Sequence, residues 1–323
     1  MKKYDVVVVG GGAAGLSGAL ALVRARRSVL VIDNGTPRNA PAEHVHNYLT
    51  RDGVPPGELY AIGRKEVTGY GGEVVIGTVT SVRPAEPSGF VVEQAGREPV
   101  EARRLLVTAG VVDELPDVPG LAERFGRDVL HCPYCHGWEV RDQAIGVLGT
   151  GAMAIHQALL FRQWSEDVTL FLHEGPQPTE EEWKQLAARG ISVVQGKVEA
   201  VEVADDRLTG LRLEGGRVIP RQALVVQTRL RARADFLDDL GLKAVEREAR
   251  GMIIGTAIDS DPTGKTEVPG VWVAGNVTDP MSQVITSAAA GLAAGAMLNA
   301  DLLAEDTQQA VDAYRAGVTV SVV

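Results

Sequence analysis

Asp5-Val6-Val7-Val8-Val9-Gly10-Gly11-Gly12-Ala13-Ala14-Gly15 is the stretch that decides the fold of this chain. A β-branched run bounded by glycines predicts a buried parallel strand, which is covered on both faces and so is apolar at every position. Leu16 to Arg26, rich in Ala and Leu, predicts a helix, and Val29-Leu30-Val31-Ile32 a second strand that ends at Asp33. Strand, Gly-rich turn, helix and strand within about 30 residues make a nucleotide-binding unit. Gly10, Gly12 and Gly15 occupy the glycine positions of G-x-G-x-x-G. The first permits the tight turn, the second lets the backbone approach a pyrophosphate, and the third lets helix pack on strand. The helix N-terminus then offers free N–H groups and a positive dipole to the phosphates. Asp33, eighteen residues past Gly15, can accept from both hydroxyls of an adenosine ribose.

The same pattern returns roughly 140 residues later. Ala144 to Leu148 predicts a strand, Gly149-Thr150-Gly151-Ala152-Met153-Ala154 a turn, Ile155 to Trp164 a helix and Val168 to Leu172 a second strand. Two copies imply an α/β protein with two Rossmann-like nucleotide-binding domains. Gly149, Gly151 and Ala154 give the G-x-G-x-x-A form of a second nucleotide site. Its terminal strand position is His173 or Glu174, and no Arg or Lys lies between Arg162 and Lys184. A 2′-phosphate wants guanidinium or ammonium donors there, and Glu174 would repel it. The second site is therefore selective for NADH, weak or vestigial.

Between the units, residues 51–64 carry Gly53, Pro55, Pro56 and Gly57 and read as a loop entering a helix. Segments 73–83, 89–93 and 98–107 alternate as strands do, the last running into Thr108-Ala109-Gly110. Leu115 to Gly120 reads as a linker. Val268 to Asn276 reads as a turn plus strand, and a long small-residue helix is expected from near Thr286.

Composition limits the rest. The 323 residues are 45% apolar and 23% charged, the balance of a globular protein with room for two cores. The net charge of −10 comes from scattered acidic residues, which argues against a nucleic-acid partner and against attraction to anionic lipid. Asp5 and the glycines at 10–12 interrupt any signal-peptide reading of the N-terminus. Residues 285–303 are mostly Ala and Gly and contain Asn299 and Asp301, so a close-packed buried helix is expected there rather than a membrane span. The end of the chain past Asp306 carries no functional reading. With two cysteines separated by two residues, a structural staple is excluded by loop length, and the default compartment is the cytoplasm.

Those two cysteines lie in His131-Cys132-Pro133-Tyr134-Cys135-His136-Gly137, just before the second unit. Thiols at this spacing can interconvert between dithiol and a small disulfide ring, and a neighbouring imidazole favours the nucleophilic thiolate. Two readings compete: a Cys2His2 zinc site, which one short knuckle can seldom wrap tetrahedrally, and a pair of inert reduced cysteines.

The order of first G-x-G-x-x-G, Thr108-Ala109-Gly110, Cys132-x-x-Cys135, Gly149-x-Gly151-x-x-Ala154 and Val271-Trp272-Val273-Ala274-Gly275-Asn276 resembles the low-molecular-weight thioredoxin reductase superfamily over essentially the whole chain. The resemblance implies an FAD domain built from residues 1–113 and 245–323, with residues 114–244 forming an inserted NAD(P)-type domain that carries the cysteines. It implies FAD contacts from Gly10, Gly12, Ala13, Ala14, Gly15, Asp33, Asn47, Thr108, Ala109, Gly110, Gly275, Asn276, Gln283 and Val284. It also implies a homodimer. The family's Gly-Asp is Gly275-Asn276 here, which would turn an acceptor-only ribityl contact into a mixed one.

Two departures set a direction. The acid that usually follows the second cysteine is His136, and the Arg pair after the second-unit strand is His173-Glu174-Gly175. In both respects the chain is similar to the dithiol oxidases of gliotoxin- and holomycin-type biosynthesis, which close an intramolecular disulfide in a small metabolite and return the electrons to dioxygen. By that resemblance Cys135 faces the flavin and Cys132 exchanges with the dithiol. His136 is the expected base and His131 the second candidate, with His44 and His46 as candidate pocket residues. An NAD(P)H-dependent disulfide reductase, acting on thioredoxin or a small disulfide, and a flavin-bound redox sensor remain the alternatives.

Overall fold

A computed structural model of the chain describes residues 1–249 and 251–317. The first unit opens with β1 (Lys2–Val9), α1 (Ala13–Arg24) and β2 (Val29–Asp33), followed by α2 (Pro56–Gly69) and β3 (Glu73–Ile76). β4 (Val79–Pro84), β5 (Phe90–Gln94), β6 (Arg97–Val107) and β7 (Val111–Glu114) come next. The expected strand at 73–83 is thus two strands, broken at residues 77–78 where the chain leaves the parallel sheet. β1 pairs in parallel with β2 on one edge and β6 on the other, so Val6 to Val9 are buried on both faces.

The second unit holds β8 (Val129–Leu130), α3 (Pro133–His136), β9 (Ile145–Leu148), α4 (Met153–Phe161), β10 (Val168–Phe171), α5 (Glu180–Ala188) and β11 (Ser192–Val194). Three antiparallel strands follow, β12 (Val198–Ala204), β13 (Arg207–Leu213) and β14 (Val218–Pro220), before β15 (Ala223–Val225) rejoins the parallel sheet. That sheet runs β11-β10-β9-β15-β8.

The chain returns through β16 (Arg229–Ala232), which pairs antiparallel with β7, and continues into β17 (Ala244–Ala249), β18 (Met252–Ile258), β19 (Val271–Val273) and α6 (Val284–Arg315). The seven-stranded sheet runs β3-β2-β1-β6-β5-β4, with β19 paired to the C-terminal half of β6. Ala232, Ala234, Leu237 and Leu242 already pack in the core of the first unit. The crossing back therefore falls at β16, earlier than the boundary expected at 244/245, because these apolar residues are covered by the first sheet.

α6 buries one stripe, Ser287, Ala288, Gly291, Ala294, Gly295, Leu298 and Leu302, against α1. A Cβ on Gly291 would overlap the Ala14 carbonyl, and one on Gly295 would lie 2.8 Å from the Gly18 carbonyl oxygen, so the helices meet backbone to backbone. This explains the Ala/Gly composition. The opposite stripe is open, with Leu292 54% and Leu303 58% exposed, so the close-packed buried helix expected here is buried on one face only. Among the described residues it is the one helix long and apolar enough to cross a membrane by length and composition. The chain end at 318–323 lies outside the described residues.

Candidate active site

A cavity of about 690 Å³ joins the first Gly-rich turn to the cysteine turn. Gly10 sits at φ +107°, with Thr108 so close that a Cβ would strike its carbonyl. The Thr108 hydroxyl locks this crossover by donating to the Val9 and Gly10 carbonyls at 3.1 and 2.8 Å. From Gly12 the direction a side chain would take is empty within 4 Å, and the α1 N-terminus has no side-chain cap. Free N–H groups facing open space form a seat for a pyrophosphate. Asp33, largely buried at the end of β2, also lines the cavity. Ala13, Ala14, Ala109, Gly110, Gly275, Asn276, Gln283 and Val284 line it too, while Gly15 lies beneath, packed on the Gly10 carbonyl.

Asn276 clarifies the Gly-Asn departure. Its Nδ2 donates to the carbonyls of Asp279, Pro280 and Ser282 at 3.2, 3.0 and 2.9 Å. Three carbonyls around one atom identify it as the nitrogen, so Oδ1 is the half left for a ligand hydroxyl. The expected mixed contact is thus an acceptor contact, and an aspartate here would face three carbonyls. Phosphate seat, ribose acceptor and Asn276 acceptor together fit FAD. Asn47 departs from expectation. It does not line this cavity but donates through Nδ2 to the Tyr134 carbonyl at 2.6 Å, tying its loop to the cysteine turn.

Cys132 and Cys135 are both free thiols, Cys132 preceding and Cys135 within the single turn of α3. The Cys135 thiol hydrogen-bonds Cys132 and lowers its pKa to about 7 against the opposing effect of burial; the backbone N–H groups of Cys135 and Tyr134 and the Arg38 charge assist. Cys135 is pushed upward by the same hydrogen bond and by burial. A pair sharing one proton in this way has a thiolate at Cys132 near neutral pH.

The two histidines of the turn differ. Arg38 holds Asp113 in a bidentate pair at 2.6 and 2.7 Å and reaches His131 Nε2 at 3.3 Å. A guanidinium only donates, so Nε2 of His131 is the acceptor and its lone pair is taken. Burial, then the Arg38 charge, lowers the His131 pKa to about 4. His131 is a neutral spacer, not the second base expected from its position. His136 is also lowered by burial, with Glu139 opposing, and the charges that act on it include no arginine. Asp113 accepts from Thr228 as well, at 2.8 Å. Burial would raise its carboxyl, but Arg38 reverses this and holds it below the ordinary carboxylate range. His44 and His46 both line the cavity, His44 at its exposed side. Among the described residues no three His, Cys, Asp or Glu side chains are grouped to hold a metal ion.

The second Gly-rich turn keeps the close helix–strand packing of the first, but its Gly149 lacks the positive φ of Gly10 and the turn is covered. A Cβ on Gly149 would lie 2.6 Å from the Leu172 carbonyl oxygen, so that close packing is kept. Above Gly151, where Gly12 has open space, Met252 Cε would lie 2.5 Å from such an atom. At the end of β10, His173 adopts φ +46° and its Nδ1 accepts from the Val198 N–H at 3.0 Å. Lys197, distant in sequence, places a cation here after all, but its Nζ is 2.6 Å from Glu174.

Arg38, Asp113, Thr228 and Met252 carry no motif, and nothing local in the sequence singles them out. They reach the site through long-range packing.

The family model for pyridine nucleotide-disulphide oxidoreductases matches residues 4–295. Over 322 residues the chain is 31% identical to a thioredoxin reductase, sirT, of Leptosphaeria maculans, covering 94% of this chain and 95% of that protein. Over 311 residues it is 30% identical to thioredoxin reductase tcpT of Claviceps purpurea, covering 93% and 95%. Among solved structures it is similar to HlmI, at 45% identity and TM-score 0.89 over 98% of this chain and 97% of that one. It is also similar to an oxidoreductase from Agrobacterium tumefaciens, at 36% identity and TM-score 0.85 over 94% and 99%.

Proposed function

The chain belongs to the pyridine nucleotide-disulphide oxidoreductase family and is a thioredoxin reductase-like FAD enzyme, and from that premise we propose that it oxidises a small-molecule dithiol to an intramolecular disulfide with dioxygen as final acceptor. The contrast between the two Gly-rich turns carries this reading. Gly12 faces open space, whereas the corresponding face of Gly151 is taken by Met252, and the Lys197 cation near the ribose position is spent on Glu174. Electrons then have a route in through the cysteines, whereas a pyridine nucleotide at the second turn would first have to displace Met252.

A substrate thiolate attacks Cys132 Sγ of the oxidised pair; the Cys132–Cys135 bond breaks and Cys135 leaves as thiolate. The second substrate thiolate attacks the substrate sulfur of the mixed disulfide, and Cys132 leaves. A Cys132 thiol that ionises near neutrality is a good leaving group in this ring-closing step. His136, neutral through burial, takes a substrate thiol proton, while Arg38 and Asp113 keep His131 out of the proton balance. Bound FAD supplies a two-electron acceptor for the cysteine pair and a donor to dioxygen. The sum is dithiol plus dioxygen giving disulfide plus hydrogen peroxide.

The exposed stripe of α6 offers apolar surface for the homodimer that belongs to this reading, and a cytoplasmic location goes with it. The rival, reduction of a disulfide by NAD(P)H, draws on the intact Gly149 turn and on the relatives named thioredoxin reductase. Aerobic incubation with 1,4-butanedithiol, without any nucleotide, distinguishes the two. Oxygen uptake with equal moles of peroxide and cyclic disulfide is expected; a flavoprotein that consumes no oxygen with the dithiol would be the reductase or a sensor.

A further inference from the structure

We infer that Glu139 and His46 form the proton exit of the redox turn, carrying towards solvent the proton that His136 takes from a thiol. The inference rests on His136 as the base of the proposed reaction. In the sum of that reaction the thiol protons end in hydrogen peroxide, but they leave the dithiol before dioxygen is reduced. His136 lines the cavity and is half-buried, so it is ready for a new thiol only after it has handed its proton on.

Glu139 follows His136 by three residues. The Val140 N–H donates to the His136 carbonyl at 3.4 Å, so the turn of α3 continues and positions 136 and 139 fall on one side of it. Glu139 and His46 are the charges that act on His136, the first raising and the second lowering its pKa. His46 comes from the first unit, on a loop pinned to the same turn by Asn47 on the Tyr134 carbonyl. Its Nε2 is closed to solvent, with Glu139 Oε1 3.2 Å away and not yet aligned as a hydrogen bond. Its Nδ1 lies 3.5 Å from Asp52 Oδ2. Asp52 is exposed, and the Asn47 N–H on its Oδ1 holds the carboxyl below the ordinary carboxylate range. His44, its ring centre 6.0 Å from that of His46, is a further titratable neighbour.

One imidazole therefore has an inner nitrogen beside a carboxylate of the redox turn and an outer nitrogen beside a carboxylate in water. An imidazole accepts at one nitrogen and releases from the other near neutral pH, which a carboxylate does not do readily. The proton passes from His136 through Glu139 to His46 Nε2, and the Nδ1 proton leaves to Asp52 and water. The inward transfer that accompanies peroxide formation runs the same path backwards and restores the starting tautomer.

Glu139 and His46 act through His136 and are positioning residues, so their test includes a readout that a merely structural role would not move. The oxidised holoenzyme is reduced anaerobically by dithiothreitol in weak buffer near neutral pH, and the flavin absorbance is followed by stopped flow. His46→Ala should slow reduction about tenfold, less than the roughly 10²–10⁴-fold cost of losing a base itself, and added imidazole should restore most of the rate. Glu139→Gln should slow it to a similar extent. The double variant should be no slower than the slower single one, because both changes interrupt one path. A wild-type rate in His46→Ala overturns the inference, as does a loss that imidazole leaves unchanged, or losses that multiply in the double variant. This half-reaction needs neither dioxygen nor a nucleotide. An enzyme that is reduced by dithiothreitol with these effects but consumes no oxygen would lose the oxidase reading and keep the relay.

Discussion

Cys135→Ser abolishes dithiol oxidation and yet leaves Cys132 reactive at neutral pH. The loss is total in kind, because without the second sulfur no disulfide exists to accept the electron pair. Any residual rate should lie at least about 10³-fold below wild type, as for other covalent catalytic groups. Cys132→Ser is equally inactive, but the two variants part in their chemistry with iodoacetamide. In Cys135→Ser the introduced hydroxyl can still donate to the Cys132 thiolate, and the backbone N–H groups at positions 134 and 135 are unchanged. In Cys132→Ser the thiol that remains, Cys135, has no backbone N–H groups like those that assist Cys132, and its partial burial raises its pKa. Cys135→Ser should therefore be alkylated quickly near neutrality and Cys132→Ser slowly. In the reduced wild-type enzyme, alkylation should rise with pH through about 7 as the Cys132 thiolate forms. Faster alkylation of Cys132→Ser than of Cys135→Ser would reverse the assigned roles of the two sulfurs.

Removal of the Asp113 carboxylate is the second large effect. Its side chain is 8% exposed and that of Arg38 24%, so Asp113→Ala strands a guanidinium in the wall of the cavity. Breaking a buried pair from one side costs about 3–5 kcal/mol, and the partial exposure of Arg38 points to the lower end. The loss spreads because Asp113 on β7 ties together the loop at Arg38 and the return strand through Thr228. Thr228→Val should cost only about 1 kcal/mol, one hydrogen bond. The charge has a second consequence. Arg38 without its counter-ion stabilises the Cys132 thiolate more strongly, so the alkylation midpoint of Cys132 should move down in Asp113→Ala. Denaturant midpoints and alkylation profiles check both halves. A variant within about 0.5 kcal/mol of wild type would mean that Asp113 is not the partner that makes burial of Arg38 tolerable.

The parts of this molecule that the sequence announces are those governed by local chemistry. The valine run at 6–9, the glycines at 10, 12 and 15, and Asp33 are dictated by what a buried strand and a phosphate turn require, and the cavity is built on them. The cysteine turn is local as well. What escaped depends on contacts distant in sequence. Asn47 is drawn to Tyr134 across 87 residues, Arg38 to Asp113 across 75, and Lys197 to Glu174 across α5 and β11. His131 sits next to Cys132 in the chain, and proximity alone suggests a base; only the guanidinium on its Nε2 shows otherwise. Met252 comes from a hairpin of the first unit, and no reading of Gly149 to Ala154 by itself reveals that it covers their turn. The α6 stripe shows the same limit: its Ala/Gly content tells of a close helix contact but not that one face alone makes it.

The most direct test of the account is anaerobic mixing of the oxidised FAD enzyme with NADPH, NADH or 1,4-butanedithiol in separate runs, following the flavin absorbance. The dithiol should bleach the flavin, and both nucleotides should leave it yellow. Rapid bleaching by either nucleotide would show that the second turn accepts a hydride donor despite Met252, and would contradict the oxidase reading.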